Sequence, residues 1–402
     1  MASFHSSPKA ASTRCAGFIE QLVRLSASVM KTSLCADVDA SCAERNIKPE
    51  DTSCDFKLAS WAAIACEDDA KKIAMKETYQ EIFQQGGQGI AKGSLVDADI
   101  GGEDAHFVDD ATGFIGVADG VGDKRLRGHS GIYSRFLMYN AKRIAGSSGR
   151  AEASDPFKLL MDARDASKVQ GLSGKTTALV LHLLPSDDKT LPEKGIERTR
   201  MLGANVGDTC AILLRPGVGV IAEAPSQKKG QTPYQLPEHP KESSRAEHEF
   251  EWVVQEGDVV VAGSDGLFDN VFPEEIAQTV QQLIKVDTSP TEFSKRAAEE
   301  LQKLARHKTF NEAAPPDEEA HQMLNLEKPF NTPHITSAFR DLVQRGRVQK
   351  GMSLKEAKDL GCWGGKSDDI TVVVSKVISA ASSRFDLKTS GLTRFERGEI
   401  MR

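Results

Sequence analysis

The stretch Gly101-Gly102-Glu103-Asp104-Ala105-His106-Phe107-Val108, then Asp109-Asp110-Ala111-Thr112-Gly113, then Phe114-Ile115-Gly116-Val117-Ala118-Asp119, decides how this chain folds. Two β-prone apolar runs flank a cluster of turn-forming residues, which predicts an antiparallel hairpin. With Ala111 at the tip, Glu103 falls opposite Asp119, and the two carboxylates come within reach of one cation. Two further acids stand at the ends of apolar runs. Asp265 follows Val259-Val260-Val261-Ala262-Gly263-Ser264, and Asp368 precedes Ile370-Thr371-Val372-Val373-Val374. Runs of this kind are buried strands, so each acid is held at the rim of a sheet. Acids stacked at one edge ask for a cation or a turn to occupy them. Gly120 and Gly266, directly after two of these acids, let another atom approach the backbone closely.

Outward from the hairpin, Phe56–Cys66 reads as a first strand and Glu67–Gln85 as a charged helix, followed by the loop Gly86-Gly87-Gln88-Gly89. Tyr133–Ile144 is helical, its apolar face formed by Ile132, Phe136, Leu137, Tyr139 and Ala141. Thr176–Leu184, Arg200–Ala204 and Thr209–Leu214 read as strands, the last after the turn Asn205-Val206-Gly207-Asp208. Glu274–Lys285, entered through Pro273, and Thr291–Ala305 read as helices. His307–Pro333 is polar and contains Pro315-Pro316, so it reads as a loop or insertion. The final strand ends near Val377. Strands in antiparallel runs and helices in separate pairs favour an α+β fold over a βαβ alternation: a hairpin-rich sheet with helices on its outer faces.

The 402-residue chain carries 51 Lys+Arg against 58 Asp+Glu, a net charge of −7. That balance argues against nucleic-acid binding through bulk positive charge. No window approaches the roughly 18 apolar residues of a membrane span, so no transmembrane segment is expected. Cys15, Cys35, Cys42, Cys54, Cys66, Cys210 and Cys362 are odd in number and contain no C-x-x-C pair, which suits free thiols in a reducing compartment. Up to Ser33, Lys9, Arg14, Arg24 and Lys31 face a single acid, Glu20, in a Ser- and Ala-rich background. This composition fits an organellar transit peptide and, equally, a disordered or weakly helical extension. The expected organisation is an extension over 1–54, one domain over 55–378 with an insertion at about 67–96, and a polar tail over 379–402.

The strings GGEDAHFV, VADGVGD, GKTTALVL, LGANVGDTCAILL, TPYQL, VVAGSDGLFDN and GGKSDDITVVV occur in the order and approximate spacing of the metal-dependent serine/threonine phosphatases of the 2C type. The chain resembles that family from Phe56 to Val377. ADGVG, the NVGD turn, TPYQL and GGKSDDIT are similar to its organellar subgroup, typified by a mitochondrial phosphatase. The resemblance implies a four-layer αββα sandwich, two antiparallel sheets between helix pairs, with two Mg²⁺ or Mn²⁺ ions at the sheet edges. It implies that Asp119 bridges both ions. Asp265 and Asp368 would complete the first site; Glu103 and the Gly120 carbonyl, the second. Asp208 and Asp269 match acids that hold a weaker third ion together with Asp265. Hard divalent cations take such oxygen ligands and retain waters. A water bridging the ions would attack a phosphomonoester of a phosphoprotein directly, with no phosphoenzyme and with Asp119 and Asp265 central to catalysis. The subgroup likeness makes the mitochondrion, or another organelle, the expected compartment, with the cytoplasm as alternative. A monomer is the expectation.

Two positions depart from the wider family. Where many members have Asp-Gly-His, with the histidine proposed to protonate the leaving alkoxide, this chain has Asp119-Gly120-Val121, which leaves His129, Asp123 or a metal-bound water for that role. The phosphate-orienting arginine ahead of the Glu-Asp pair is replaced by Asp99. Lys124, Arg125 and Arg127 are substitutes, or else a solvated basic loop. These departures keep open a catalytically silent phosphoprotein-binding module of the same fold. A third class, a P-loop nucleotide enzyme, is suggested by Gly174-Lys175-Thr176. It fails on Val169, where the motif needs glycine, and on the strand that follows, where a P-loop opens a helix. His106 and His182 alternate with apolar neighbours and read as strand residues. Cys210 and Cys362 read as packing, since nothing nearby would lower a thiol pKa.

Overall fold

The computed structural model describes residues 56–66, 102–121, 129–147, 155–169, 174–185, 198–229, 232–237, 242–285, 289–310, 332–334, 337 and 365–379. The expected extension over 1–54, the helix at Glu67–Gln85, the loop at 86–89, the insertion at 67–96 and the tail beyond 379 lie outside the described residues. So do Asp99, Asp123, Lys124, Arg125, Arg127 and Cys362.

The strands are β1 (Phe56–Ala65), β2 (Ala105–Asp109), β3 (Phe114–Gly120), β4 (Thr176–Leu183), β5 (Arg198–Val206), β6 (Cys210–Arg215), β7 (Gly219–Glu223), β8 (Lys228–Lys229), β9 (Thr232–Pro233), β10 (Glu249–Gln255), β11 (Val259–Gly263) and β12 (Ile370–Ser379). The helices are α1 (His129–Ser147), α2 (Pro156–Val169), the single turn α3 (Asp265–Phe268), α4 (Pro273–Ile284) and α5 (Pro290–Phe310). Two five-stranded antiparallel sheets run β1-β12-β11-β6-β7 and β10-β5-β4-β3-β2, and β8-β9 form a small ribbon.

Three apolar layers hold the stack together. Ile115, Val117, Leu179, Leu181, Val260, Ala262, Val373 and Val377 fill the space between the sheets. The alternate residues of the same strands face outward: Phe114, Ala118, Ala178 and Val180 meet Tyr133, Leu137, Phe157 and Leu160 of α1 and α2. Val259, Val261, Val372 and Val374 meet Ile276, Val280, Phe293, Ala297 and Leu301 of α4 and α5. Because both faces of each sheet are covered, the central strands are apolar along their whole length instead of alternating with polar residues. The helices bury i, i+4 stripes such as Tyr133/Leu137/Ala141 and Ile276/Val280. The result is the expected α+β sandwich with helices on both outer faces.

Several sequence readings need adjustment. The second helix, α2, escaped sequence reading, although its start is plainly marked. Asp155 Oδ1 accepts the Lys158 N–H at 2.9 Å, and Pro156 takes the first helical position. Strands β7 and β10 were also missed: the first is short and half exposed, and the second alternates with charged residues on its outer face. α5 runs through His307 to Phe310, where a loop was expected.

The hairpin forms, with a register one residue away from the expected one. Ala105 pairs with Ala118 and Asp109 with Phe114, so Asp104, not Glu103, comes opposite Asp119, and Glu103 comes opposite Gly120. The loop Asp110–Gly113 has an even number of residues, which puts the centre of the turn between Ala111 and Thr112. Gly113 closes it at φ +78°, donating its N–H to Asp109 O at 2.9 Å. Because side chains alternate across a strand, this single step changes which acid shares a face with Asp119.

Candidate functional site

Apart from Ser375 of β12, which bonds Ser60, the inward faces of β3, β4, β11 and β12 are apolar until the last residue or two at one common edge. There the alternation continues, but the residues become polar. Val117 is followed on its face by Asp119, Leu179 is preceded by Thr177, Ala262 is followed by Ser264, and Val373 is preceded by Thr371 and Asp369. The sandwich therefore ends in a cleft of acids and hydroxyls lying on top of a dry core.

Short polar bonds tie the two sheets together at this edge. Asp369, entering β12, accepts the Glu103 N–H through Oδ2 at 2.7 Å, and Ser134 Oγ on α1 donates to the Glu103 carbonyl at 2.5 Å. Gly120 N–H bonds back to the same carbonyl at 3.2 Å, which sets Glu103 beside Gly120 at the mouth of the hairpin. The hydroxyls of Thr177 and Thr209 share a buried hydrogen bond of 2.5 Å, and Thr176 Oγ1 donates to Asp119 O at 2.7 Å. Leu236 of the TPYQL string exchanges backbone hydrogen bonds with Thr176 at 2.8 and 3.1 Å. At Gly102, where φ is +65°, a Cβ would sit 2.0 Å from the Asp369 carboxylate. Gly207, at φ +104°, leaves no room for a Cβ against Thr177 and the Tyr234 carbonyl. These glycines are where chain segments from different sheets meet.

Asp104, Asp119, Asp265 and Asp368 lie close enough to act on one another electrostatically. Burial pushes the carboxyls of Asp104 and Asp119 well above the usual carboxylate range. Asp369, Asp368 and Asp265 reinforce the effect at Asp104, where a hydrogen bond from Ser264 partly offsets it. Asp265, Asp104 and Asp368 do so at Asp119. The Asp265 carboxyl is pushed up to about 7, by burial first and by Asp368 second, against the pull of Lys366. The Lys366 ammonium stands among Asp265, Asp269 and Asp368, bonded to Asp265 Oδ2 and lying 3.1 Å from Asp269 Oδ2 and 3.0 Å from Asp368 Oδ2. His334 Nδ1 approaches Asp269 at 3.9 Å.

Of the acids singled out from sequence, Asp265, Asp269 and Asp368 are thus gathered around one ammonium, with Asp119 in electrostatic contact across the cleft. Asp208 is engaged elsewhere: in the β5–β6 turn, Lys228 Nζ meets its Oδ2 at 3.1 Å. Among the described residues, no group of three or more His, Cys, Asp or Glu side chains is closed around a common metal position. Lys366 fills that centre. Asp104, Asp369 and Lys366 are the members that sequence reading did not single out. The two-residue alternation back from Val108 through His106 carries the first to the cleft face, and the alternation from Val373 does the same for the second. Nothing in the pattern marked Lys366. His129 opens α1, and its side chain lies outside the described residues. His182 is buried in β4, stacked on Phe114 with ring centroids 3.8 Å apart. Cys210 is buried as well, its thiol pushed upward by desolvation.

No family model matches the chain. "Probable protein phosphatase 2C 26" of Arabidopsis thaliana is 32% identical over 283 residues, which cover 70% of this chain and 79% of that protein. The chain belongs to the protein phosphatase 2C family. "Probable protein phosphatase 2C 80" from the same plant is 30% identical over 283 residues, 70% of this chain and 55% of that protein. The chain spans about half the length of the first curated relatives it matches. The X-ray structure of the photosystem II phosphatase PBCP aligns with 79% of this chain and 98% of its own at a TM-score of 0.52 and 24% identity, a likeness of fold.

For a protein phosphatase 2C chain, the question is whether this cleft suits divalent ions. Asp104 Oδ2 and Asp265 Oδ1 are buried with no hydrogen-bond partner among the described residues, although each is a strong acceptor. Burial first, and the neighbouring carboxylates after it, raise these carboxyls, so they resist carrying charge together unless a cation lies among them. The donors are hard oxygens, of the kind that magnesium and manganese take. The residues fit.

Proposed function

We propose that this chain is a Mg²⁺- or Mn²⁺-dependent protein serine/threonine phosphatase that hydrolyses phosphoserine and phosphothreonine monoesters. The observation that carries the reading is the convergence of Asp104, Asp119, Asp265 and Asp368 at the joint edge of the two sheets, buried and mutually repelling, with acceptors that have no partner among the described residues. Asp119, Asp265 and Asp368 would hold one ion; Asp119, Glu103 and the Gly120 carbonyl a second; and Asp208, on leaving Lys228, would join Asp269 and Asp265 at a weaker third. When bound, such ions supply Lewis-acid activation of water and neutralise the phosphate oxygens. Asp119 and Asp265 fix the position from which water attacks, because both hang from strand ends that the dry core and the seam of inter-sheet bonds hold rigid. In the reaction a new P–O bond forms to water as the ester P–O bond breaks, and the serine or threonine alkoxide takes up a proton. Val121 has no proton to give at this step.

A second reading, a silent phosphoprotein-binding module, is favoured by the ammonium of Lys366 at the centre of the acids and by Val121. A single assay separates the two. The full chain with Mn²⁺ should release phosphate from a phosphothreonine peptide and from p-nitrophenyl phosphate, and EDTA should abolish both activities. Metal-independent turnover would sink the dinuclear reading, and no turnover on either substrate would favour the module.

We also infer from the basic, Ser- and Ala-rich first 33 residues and the ADGVG subgroup likeness that the protein acts in the mitochondrion or another organelle. Residues 1–54 fused to a fluorescent protein should carry it there; diffuse cytoplasmic fluorescence would favour the alternative.

A further inference from the structure

The structure places a cation of its own in the cleft. The Lys366 side chain is 27% exposed, and its ammonium meets Asp265, Asp269 and Asp368 at once. Two of those acids, Asp265 and Asp368, are ones that the proposed function gives to the first ion. The backbone beneath the lysine is pinned on both sides. Lys366 N–H donates to Asn270 Oδ1, and Asn270 Nδ2 donates to Lys366 O, both at 2.9 Å. Asn270 Nδ2 also holds Gly266 O at 2.9 Å, which fixes the lysine's backbone to the turn that carries Asp265 and Asp269. At Gly365 a Cβ would come within 2.4 Å of Asn270 Oδ1 and 2.7 Å of the Lys308 carbonyl, so this close approach of the backbones admits no side chain. The flexible part is the four-carbon stem, whose rotations can carry the ammonium off the acids while the backbone stays in place.

A divalent ion drawn to Asp265 and Asp368 would meet the Lys366 ammonium on the same carboxylate oxygens, where the two positive charges repel each other. We propose that Lys366 is a tethered counter-cation that holds Asp265, Asp269 and Asp368 together in the ion-free chain and competes with the first divalent ion for Asp265 and Asp368. The ion binds by displacing the ammonium from the acids, not by entering an empty shell. This weakens metal affinity, and it keeps the repelling carboxylates from splaying when no ion is present. The inference rests on the proposed metal-dependent function, but its test reads ion binding and needs no turnover.

The experiment is calorimetric titration of Mn²⁺ into full-length wild type, Lys366→Met, Lys366→Arg and Asp265→Asn, combined with thermal melts in EDTA and in saturating Mn²⁺. Lys366→Met keeps the length of the stem and removes the charge. It should bind the first Mn²⁺ about tenfold more tightly, a factor that corresponds to losing one competing ion pair in a half-buried site. It should also melt earlier than wild type in EDTA and gain more from Mn²⁺. Lys366→Arg retains the charge and should bind no more tightly than wild type. Equal or weaker Mn²⁺ binding by Lys366→Met, with Asp265→Asn still abolishing binding, overturns the lysine inference and leaves the metal-dependent reading standing. Absence of Mn²⁺ binding in wild type overturns both. An unfolded Lys366→Met chain in EDTA that refolds on adding Mn²⁺ supports the inference, since it shows the same exchange of one cation for another.

Discussion

Asp119→Asn should cut turnover on a phosphothreonine peptide about a thousandfold while making the ion-free protein more stable. The two effects have one origin. Asp119 is the acid proposed to touch both ions, and losing about 4 kcal/mol of the charge stabilisation that ions provide in the transition state amounts to about three powers of ten in rate. Without ions, the same carboxylate is a burden: it is desolvated and repelled by Asp265, Asp104 and Asp368, with only partial relief from Lys366. The amide removes that repulsion, and the EDTA melting temperature at pH 8 should rise by about 3 °C. The pH dependence follows with a definite sign. The folded Asp265 carboxyl, facing Asp368, Asp269 and Lys366, titrates at about 7, far above its ordinary value of 3.8. Between those values the folded chain binds a proton that the unfolded chain has lost. The stabilisation is therefore complete below about pH 4 and disappears as pH rises to about 7. In EDTA the melting temperature should fall from pH 5 to pH 8, and saturating Mn²⁺ should abolish the fall. A mutant as active as wild type, or an EDTA melt that rises with pH, would contradict this picture of the cleft.

Gly266→Ala should cost both stability and activity, although it adds one methyl group and no charge. In the single turn α3, the position of a Cβ on Gly266 lies 2.0 Å from the Asp369 carbonyl oxygen and 3.2 Å from Ile370 Cγ1. The clashing atom is backbone, and Asp369 is tied to Glu103 on one side and continues into β12 on the other, so it cannot step aside cheaply. Overpacking of this kind costs about 1–3 kcal/mol, here toward the upper end, which lowers the melting temperature by about 6–10 °C. The shift would fall between Asp265 and Asp368, the two acids of adjacent strand ends that share the Lys366 ammonium. Misplacing a reacting group by about 1 Å can cost a hundredfold, so kcat should fall by about that factor even where the protein remains folded. Measured kcat and melting temperature equal to wild type would show that α3 and β12 are free to move apart.

The fold was legible because its evidence is local and repeated. Apolar runs bounded by glycine and acid mark β3, β11 and β12, and 3.6-residue apolar stripes mark α1, α4 and α5. What stayed hidden lacked a local pattern. β7 and β10 are outer strands with exposed faces, so their sequences alternate weakly. The register of β2 and β3 depended on whether a turn is odd or even, which the residues Asp109–Gly113 do not settle by composition. The acids themselves were readable as strand ends, but their grouping was not, because Asp265 and Asp368 meet only through the pairing of β11 with β12. Lys366 shows the limit most clearly. A lysine beside two aspartates in GGKSDDIT looks like a solvated charge, and only the Asn270 clamp around its backbone brings it to the centre of the cleft.

The bonds across the seam, from Glu103 to Asp369 and from Thr177 to Thr209, have a consequence for redesign. They fasten the acid cup to both sheets through residues at the strand ends or one or two steps beyond them, so the cup is a fixed chassis. Turns that take no part in these bonds can then be exchanged like fittings. A graft that brings a new recognition loop to this mouth would redirect which protein is presented to the acids without retuning the acids themselves.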